Sequence, residues 1–213
     1  AAAREQRKIG YGTGASFFIE VGAFSGLTLI AGQLGALETS AWAVVLNISA
    51  IVFMVPMGLS SATAVLVGRA YGAKDRTGMI RAGACGLFAV AGIATLIGLV
   101  VWPTAPLLVG AYTREAALLA VAVPALILAT LFFVADGVQV VAALAVRAAG
   151  DVWWPTIMHI FSYGAVMFPL GYLLSHQGGL AVDGMVWAVI VASLISATLL
   201  TGRFIRVARR LPA

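Results

Sequence analysis

The sequence predicts an all-α, polytopic membrane protein built as a bundle of six transmembrane helices. Three observations carry this. Hydrophobic residues make up 62% of the 213-residue chain and charged residues only 10%, against about 25% charged in an average soluble domain. Six apolar segments are each long enough to span a bilayer, which takes about 20 residues. All but one of the 13 Lys and Arg residues then fall on one side of the membrane.

Composition excludes the soluble classes. A small soluble domain must still face water, and it cannot hide the apolar surface implied by a mean hydropathy of +1.05. The first eight residues are polar and the apolar run after them exceeds a signal h-region, so no secretory leader is expected. Cys85 is the only cysteine, which excludes an intrachain disulfide and a cysteine metal cluster. No Gly-rich loop with a Walker lysine is present.

The first predicted span, 10–32, is apolar apart from hydroxyls and Glu20. The second, 40–66, carries Asn47 and Pro56. The third, 82–101, is free of charge and stops before Trp102 and Pro103. The fourth, 117–146, is longer than a bilayer needs and contains Pro124, which predicts a kink or an interfacial start. The fifth is 152–174 and the sixth 184–202. Breaks are expected at 35–39, 68–81, 103–115, 148–151 and 175–183. The predicted division is a tail or linker over 1–9, a six-helix lobe over 10–206 and a tail over 207–213.

Charge placement orients the bundle. The N-terminal tail has Arg4, Arg7 and Lys8. The second break has Arg69, Lys74, Arg76 and Arg81. The fourth has Arg147, and the C-terminal tail has Arg203, Arg206, Arg209 and Arg210. The opposite side has only Arg114. Cations collect on the cytoplasmic side of membrane proteins, which predicts a plasma (inner) membrane protein with both termini cytoplasmic. Orientation thus explains the basic pI of about 9.9, and no nucleic-acid partner is called for. Membrane lipids are the expected surroundings, and the C-terminal cations could hold anionic lipid.

Two acids stand where lipid disfavours them. Glu20 is mid-span in the first segment and Asp136 lies within the fourth. A charged carboxylate at such depth costs on the order of 2.5–3.5 kcal/mol, and intramembrane acids usually face the bundle interior on an ion, proton or substrate pathway. Thr13, Ser16 and Glu20 share a helix face with Phe24; Phe132, Asp136, Gln139 and Arg147 share another. Phe24, Asn47, Phe132 and Gln139 are therefore candidate substrate-cavity residues. Thr13 and Ser16 read better as packing hydroxyls. His159 reads as an interhelical hydrogen-bond donor before a proton relay. Trp42, Trp102, Trp153, Trp154 and Trp187 sit near span ends, as interface anchors do. The GxxxG pairs Gly22/Gly26 and Gly68/Gly72 are weak signals among 24 glycines. With no histidine metal cluster, nucleophile–base pair or cofactor loop, these features point away from an enzyme and towards ion-coupled movement of a solute.

The stretch from Pro56 to Asp75, PMGLSSATAVLVGRAYGAKD, resembles the helix-to-loop signature of the multidrug and toxic compound extrusion (MATE) transporters. Phe17-Phe-Ile-Glu-Val21 and Ala41-Trp-Ala-Val-Val-Leu-Asn47 fit the same family. The stretch from Asp136 to Arg147, followed by Gly150-Asp151, is similar to the tenth helix of its NorM-type members. Here Ala148 stands where the family has glycine, and Trp42 where many members have histidine. The resemblance implies the C-terminal six-helix lobe of a twelve-helix fold. It further implies an antiporter that exports cationic or amphipathic small molecules against Na⁺ or H⁺, with Glu20 and Asp136 as the coupling acids and ligands of a monovalent cation. No other cofactor is expected. A desolvated carboxylate gains by taking up either ion, and losing the negative charge would release a cationic drug. Alternating access needs a facing lobe, from an N-terminal half or a second parallel copy. Two alternatives stay open: a non-transporting half that binds lipid or a partner protein, and a lipid flippase. The absence of Lys or Arg at mid-span weighs against the flippase.

The charge asymmetry yields a direct test. With Cys85 replaced, a cysteine at Ala36 should react with an impermeant thiol reagent added outside, and one at Thr77 should not; the reverse pattern would end this topology.

Overall fold

The computed structural model describes residues 2–211, with residues 2–6, 8 and 9 described by backbone alone. Among the described residues, six helical spans are long and apolar enough to cross a membrane. They are α1 (Ala2–Leu34), α2 (Ala36–Gly72), α3 (Arg76–Gly110), α4 (Ala116–Ala148), α5 (Trp153–Gln177) and α6 (Ala181–Arg209). The chain is a multi-pass, all-helical membrane protein. The expected cations Arg4 and Lys8 have side chains outside the described residues.

The helices outrun the predicted spans and the breaks shrink to match. α2 has 37 residues and α3 has 35, about 50–55 Å at 1.5 Å per residue. The break expected over 35–39 is Gly35 alone, whose φ of 145° suits only glycine. The break at 68–81 contracts to a turn at 73–75. There Asp75 caps α3, accepting a hydrogen bond from the Gly78 amide at 2.8 Å. The break expected from Pro103 is also corrected, because α3 runs through Pro103 and Pro106 to Gly110. Each proline costs one intrahelical bond, a cost that transmembrane helices tolerate when neighbouring groups take up the freed carbonyls.

α4 is the axis of the bundle. It packs on α2, α3 and α6, and its apolar face from Leu118 through Ala129 to Phe133 is buried. α5 departs from the expected plain helix. It begins α-helical at Trp153–His159, widens to a π-helix over Ile160–Met167, tightens at Phe168–Tyr172 and widens again over Leu173–Gln177. Pro169 and Gly171 sit between the two wide stretches.

Hydroxyl bonds and close backbones join the helices. Ser16 Oγ donates to Thr156 Oγ1 at 3.0 Å, and Thr156 donates on to the Gly12 carbonyl at 2.8 Å. Ser16 is thus a packing group between α1 and α5. Trp42 is a correction: it is only 2% exposed, so it anchors no interface. Its Nε1 donates to Thr28 Oγ1 at 3.1 Å, because the one-residue turn at Gly35 folds α2 directly onto α1. Trp102, Trp153 and Trp187 are exposed, as anchors require. Of the Gly22/Gly26 pair, only Gly26 meets a neighbour, the Phe168 ring of α5.

The ends sort by parity. Tyr71, Asp151, Arg203 and Arg210 gather around one cavity at the end shared by the α2–α3 turn, the α4–α5 loop and the C-terminus. Arg203 Nε donates to Asp151 at 2.7 Å and its guanidinium lies 4.7 Å from the Trp154 ring centroid. Ala36, the first residue of α2, and Thr77, in the first turn of α3 beyond the other end of α2, are both exposed.

Gly184 shows how tightly α6 meets α5. A Cβ there would lie 2.7 Å from the Leu174 carbonyl carbon and 2.8 Å from the Ser175 nitrogen. Backbone cannot step aside as a side chain can. Gly184→Ala should cost about 1–3 kcal/mol and lower the melting midpoint in detergent. Gly92→Ala, with nothing within 4 Å, should melt like the wild type.

Candidate functional site

The two intramembrane acids meet at one cavity. It has a volume of about 320 Å³ and opens between α1, α2 and α4. Phe17, Phe24, Phe53 and Phe132 give it aromatic walls, Ser25, Thr28 and Ser49 add hydroxyls, and Glu20 and Asp136 supply the charge. Period-3.6 spacing puts Phe17, Glu20, Phe24 and Thr28 on one stripe of α1, and the same spacing aims Phe132 and Asp136 from α4.

Asp136 is 7% exposed and Glu20 is half-buried. Behind Asp136 lies a polar network inside the bundle. Gln139, fully buried, donates from Nε2 to Asp136 Oδ1 at 3.3 Å. The Tyr163 hydroxyl of α5 donates to the same oxygen at 3.5 Å. On its other side, Gln139 Oε1 receives His159 Nε2 at 3.0 Å and Ser196 Oγ of α6 at 3.5 Å. An ionised carboxylate only accepts, so it fixes the amide with nitrogen towards Asp136 and oxygen towards His159. His159 therefore carries a proton on Nε2. Its Nδ1 is buried without a partner. Tyr163 also packs its ring against His159, with centroids 5.6 Å apart, and against Phe24, at 6.2 Å.

The predicted site residues separate into two groups. Glu20, Phe24, Phe132 and Asp136 line the cavity together. Gln139 is not among the lining residues; it stands behind the wall and holds Asp136. Asn47 is also away from the lining. It is exposed on α2 and accepts a hydrogen bond from Tyr112 at 2.7 Å, because the α3–α4 loop comes down beside it. Arg147 is a further correction. It belongs to α4, not to the loop, and is only 9% exposed. Helix side chains tilt towards the N-terminus, which draws Arg147 into the bundle on the Asp136 face. Arg147 is thus a buried cation in the last turn of α4, at the end of the span and not at its middle.

Tyr163 and Ser196 escaped the sequence reading. Tyr163 lies four residues after His159, so helical spacing could have paired them; a lone serine on an apolar helix gives no such signal. Glu20 and Asp136, the acids expected to hold a monovalent cation, both line the cavity. Among the described residues no cluster of three or more His, Cys, Asp or Glu side chains is placed to hold a metal.

Comparison with known proteins agrees with this architecture. Residues 13–173 match the family model MatE. The chain is 52% identical over 200 residues to a probable multidrug resistance protein NorM of Caulobacter vibrioides, covering 94% of this chain and 42% of that protein. It is 36% identical to a protein of the same description from Xanthomonas campestris, covering 98% and 46%. Among solved structures, the eukaryotic MATE transporter AtDTX14 matches with a TM-score of 0.84 at 18% identity, covering 96% of this chain and 48% of that one. The bent form of the Vibrio cholerae MATE transporter VcmN matches with a TM-score of 0.86 at 18% identity, covering 95% and 46%. The chain thus spans less than half the length of these relatives.

The network makes Gln139 the joint between α4, α5 and α6. Gln139→Leu would strand His159 Nε2 and Ser196 at once and leave Asp136 with Tyr163 alone. A lost buried partner costs about 1–3 kcal/mol, so the variant should melt clearly below the wild type in detergent. An unchanged midpoint would mean that the three groups need no common partner.

Proposed function

This chain belongs to the MATE family, and from that premise we propose that it is one six-helix lobe of a cation-coupled multidrug efflux antiporter. The observation that carries the reading is the placement of Glu20 and Asp136 on one aromatic-walled cavity inside an apolar bundle. Two acids are costly to keep there, and a structural role would not need both to face the same opening. Phe17, Phe24, Phe53 and Phe132 suit flat amphipathic or cationic compounds, which gain from aromatic faces and from negative charge. Na⁺ or H⁺ arriving at the acids would cancel that charge and weaken the hold on the drug.

A facing lobe completes the transporter in this reading, since rocking of two lobes around a central site is what alternates access. The facing lobe is an N-terminal half or a second parallel copy. The surplus of cations at one end supports cytoplasmic termini and a bundle in the inner membrane. With Arg147 drawn inside, the bias rests on the remaining tail and turn cations, still against Arg114 alone. Na⁺ is favoured over H⁺ as the coupling ion by the NorM-like run around Asp136.

The acids are tested in the two-lobe protein. Asp136→Asn and Glu20→Gln keep size and remove charge. Each should abolish coupled efflux of a cationic dye from proteoliposomes while leaving membrane insertion intact, because an amide is cheaper to insert than a carboxylate. Efflux that persists in both variants would reduce the acids to packing groups. Efflux driven by a pH gradient with Na⁺ rigorously absent would replace Na⁺ by H⁺ and leave the acids in place.

A further inference from the structure

A second cavity shares no lining residue with the one that holds the two acids. Its volume is about 330 Å³, and it lies where the end of α2, the α4–α5 loop and the end of α6 meet. Tyr71, Asp151, Arg203 and Arg210 supply its polar lining, and Val207 and Leu211 an apolar side. Of the four C-terminal cations, only Arg203 and Arg210 line it; Arg206 and Arg209 are exposed outside it.

The lining is set before any ligand arrives. Arg203 Nε and Nη2 both meet Asp151 Oδ2, at 2.7 and 2.5 Å, and the guanidinium lies over the Trp154 ring. Both contacts run to one carboxylate oxygen, so the two hydrogens of Nη1 are left for another acceptor. Asp151 therefore orients Arg203 and spends its charge on it. Among the described residues Arg210 pairs with no acid. Two guanidinium groups against one carboxylate leave the cavity with a surplus of one positive charge. Gly150 keeps the floor open. Its φ of 84° suits glycine, and a Cβ there would stand 3.8 Å from the Tyr71 hydroxyl oxygen. Trp153, beside Trp154, is exposed, which sets the cavity at the depth where interfacial tryptophans meet lipid headgroups.

We propose that this cavity binds the phosphodiester headgroup of a singly anionic phospholipid, with Arg203 and Arg210 as its cationic ligands and Tyr71 as a hydroxyl donor. Guanidinium groups match phosphate oxygens in shape and charge. One surplus positive charge answers the one negative charge of a phosphodiester, and Val207 and Leu211 suit the glycerol end of the lipid. Basic pockets between transmembrane helices take such headgroups at the cytoplasmic face. The site stands apart from the transporter reading, since it uses neither the acids nor a facing lobe. Free inorganic phosphate offers the same oxygens, so the test has an arm for each source.

Binding is measured on the full two-lobe protein, delipidated in detergent, by native mass spectrometry. The probe is dioleoyl phosphatidylglycerol, with dioleoyl phosphatidylcholine as the neutral reference. Arg210→Gln should weaken the tightest phosphatidylglycerol site about tenfold, and Tyr71→Phe about threefold. Arg209→Gln removes the same charge one residue away, outside the lining, and should bind like the wild type. Equal losses in Arg209→Gln and Arg210→Gln would overturn the proposal, because the cause would be a diffuse basic surface. Phosphatidylcholine binding as tightly as phosphatidylglycerol would overturn it as well. The second arm reads the melting midpoint in inorganic phosphate against chloride at matched ionic strength. Stabilisation by phosphate that is lost in Arg210→Gln, with no preference for phosphatidylglycerol, would overturn the lipid assignment and make the ligand a soluble anion.

Discussion

An acid enclosed by apolar helices must be answered by donors, and the Gln139 amide is the group on which that answer depends. It faces Asp136 with its nitrogen and His159 and Ser196 with its oxygen. One side chain thereby sets the rotation of α4 against α5 and α6. The rest follows from that rotation. Phe132 and Asp136 turn towards the cavity, Tyr163 closes over the back of Asp136, and Phe24 of α1 rests on the Tyr163 ring. In lipid, where apolar side chains gain little by leaving their surroundings, such polar contacts and close packing do the orienting.

The lobe divides its work between two kinds of contact. α2, α3 and α4 meet mainly through small and branched apolar groups such as Ala94, Val101, Ala105 and Ala129, and their polar side chains mostly turn back onto their own helix carbonyls. α1 and α5 meet through the Ser16–Thr156–Gly12 relay, and α5 meets α4 through the network behind Asp136. The acids therefore sit at the seam between an apolar packing unit and a polar one.

What the sequence disclosed was what lipid imposes on it. Six spans, their alternation and the two misplaced acids were legible because apolar length and stray charge are first-order costs in a bilayer. Helix ends were not, since Gly35 and the turn after Gly72 need far fewer residues than their polar neighbourhoods suggested. Trp42 looked like an anchor by position, but its burial depends on Thr28 in another helix, which no local pattern encodes. Arg147 sat at a span end and read as a loop cation; only the direction of its side chain places it inside. Gln139 and Asn47 were chosen for polarity at suitable depth, and depth alone cannot say which side of a wall a residue stands on. The family resemblance contributed the two-lobe expectation and the roles of the acids, and it carried no information on the network behind them.

The wide turns of α5 have one more consequence. A π-helix bonds each amide one residue further back than an α-helix does, so the stretch Ile160–Met167 stores surplus chain within an otherwise regular rod. A residue removed there would let the segment tighten into α geometry, with the residues beyond it keeping nearly the same heading. The same deletion in α4 before Asp136 would swing the acid by about 100° around the axis. Indel tolerance is thus unevenly spread over the lobe, and the slack lies in the helix that carries His159 and Tyr163 while the rigid register lies in the helix that carries the acid they attend.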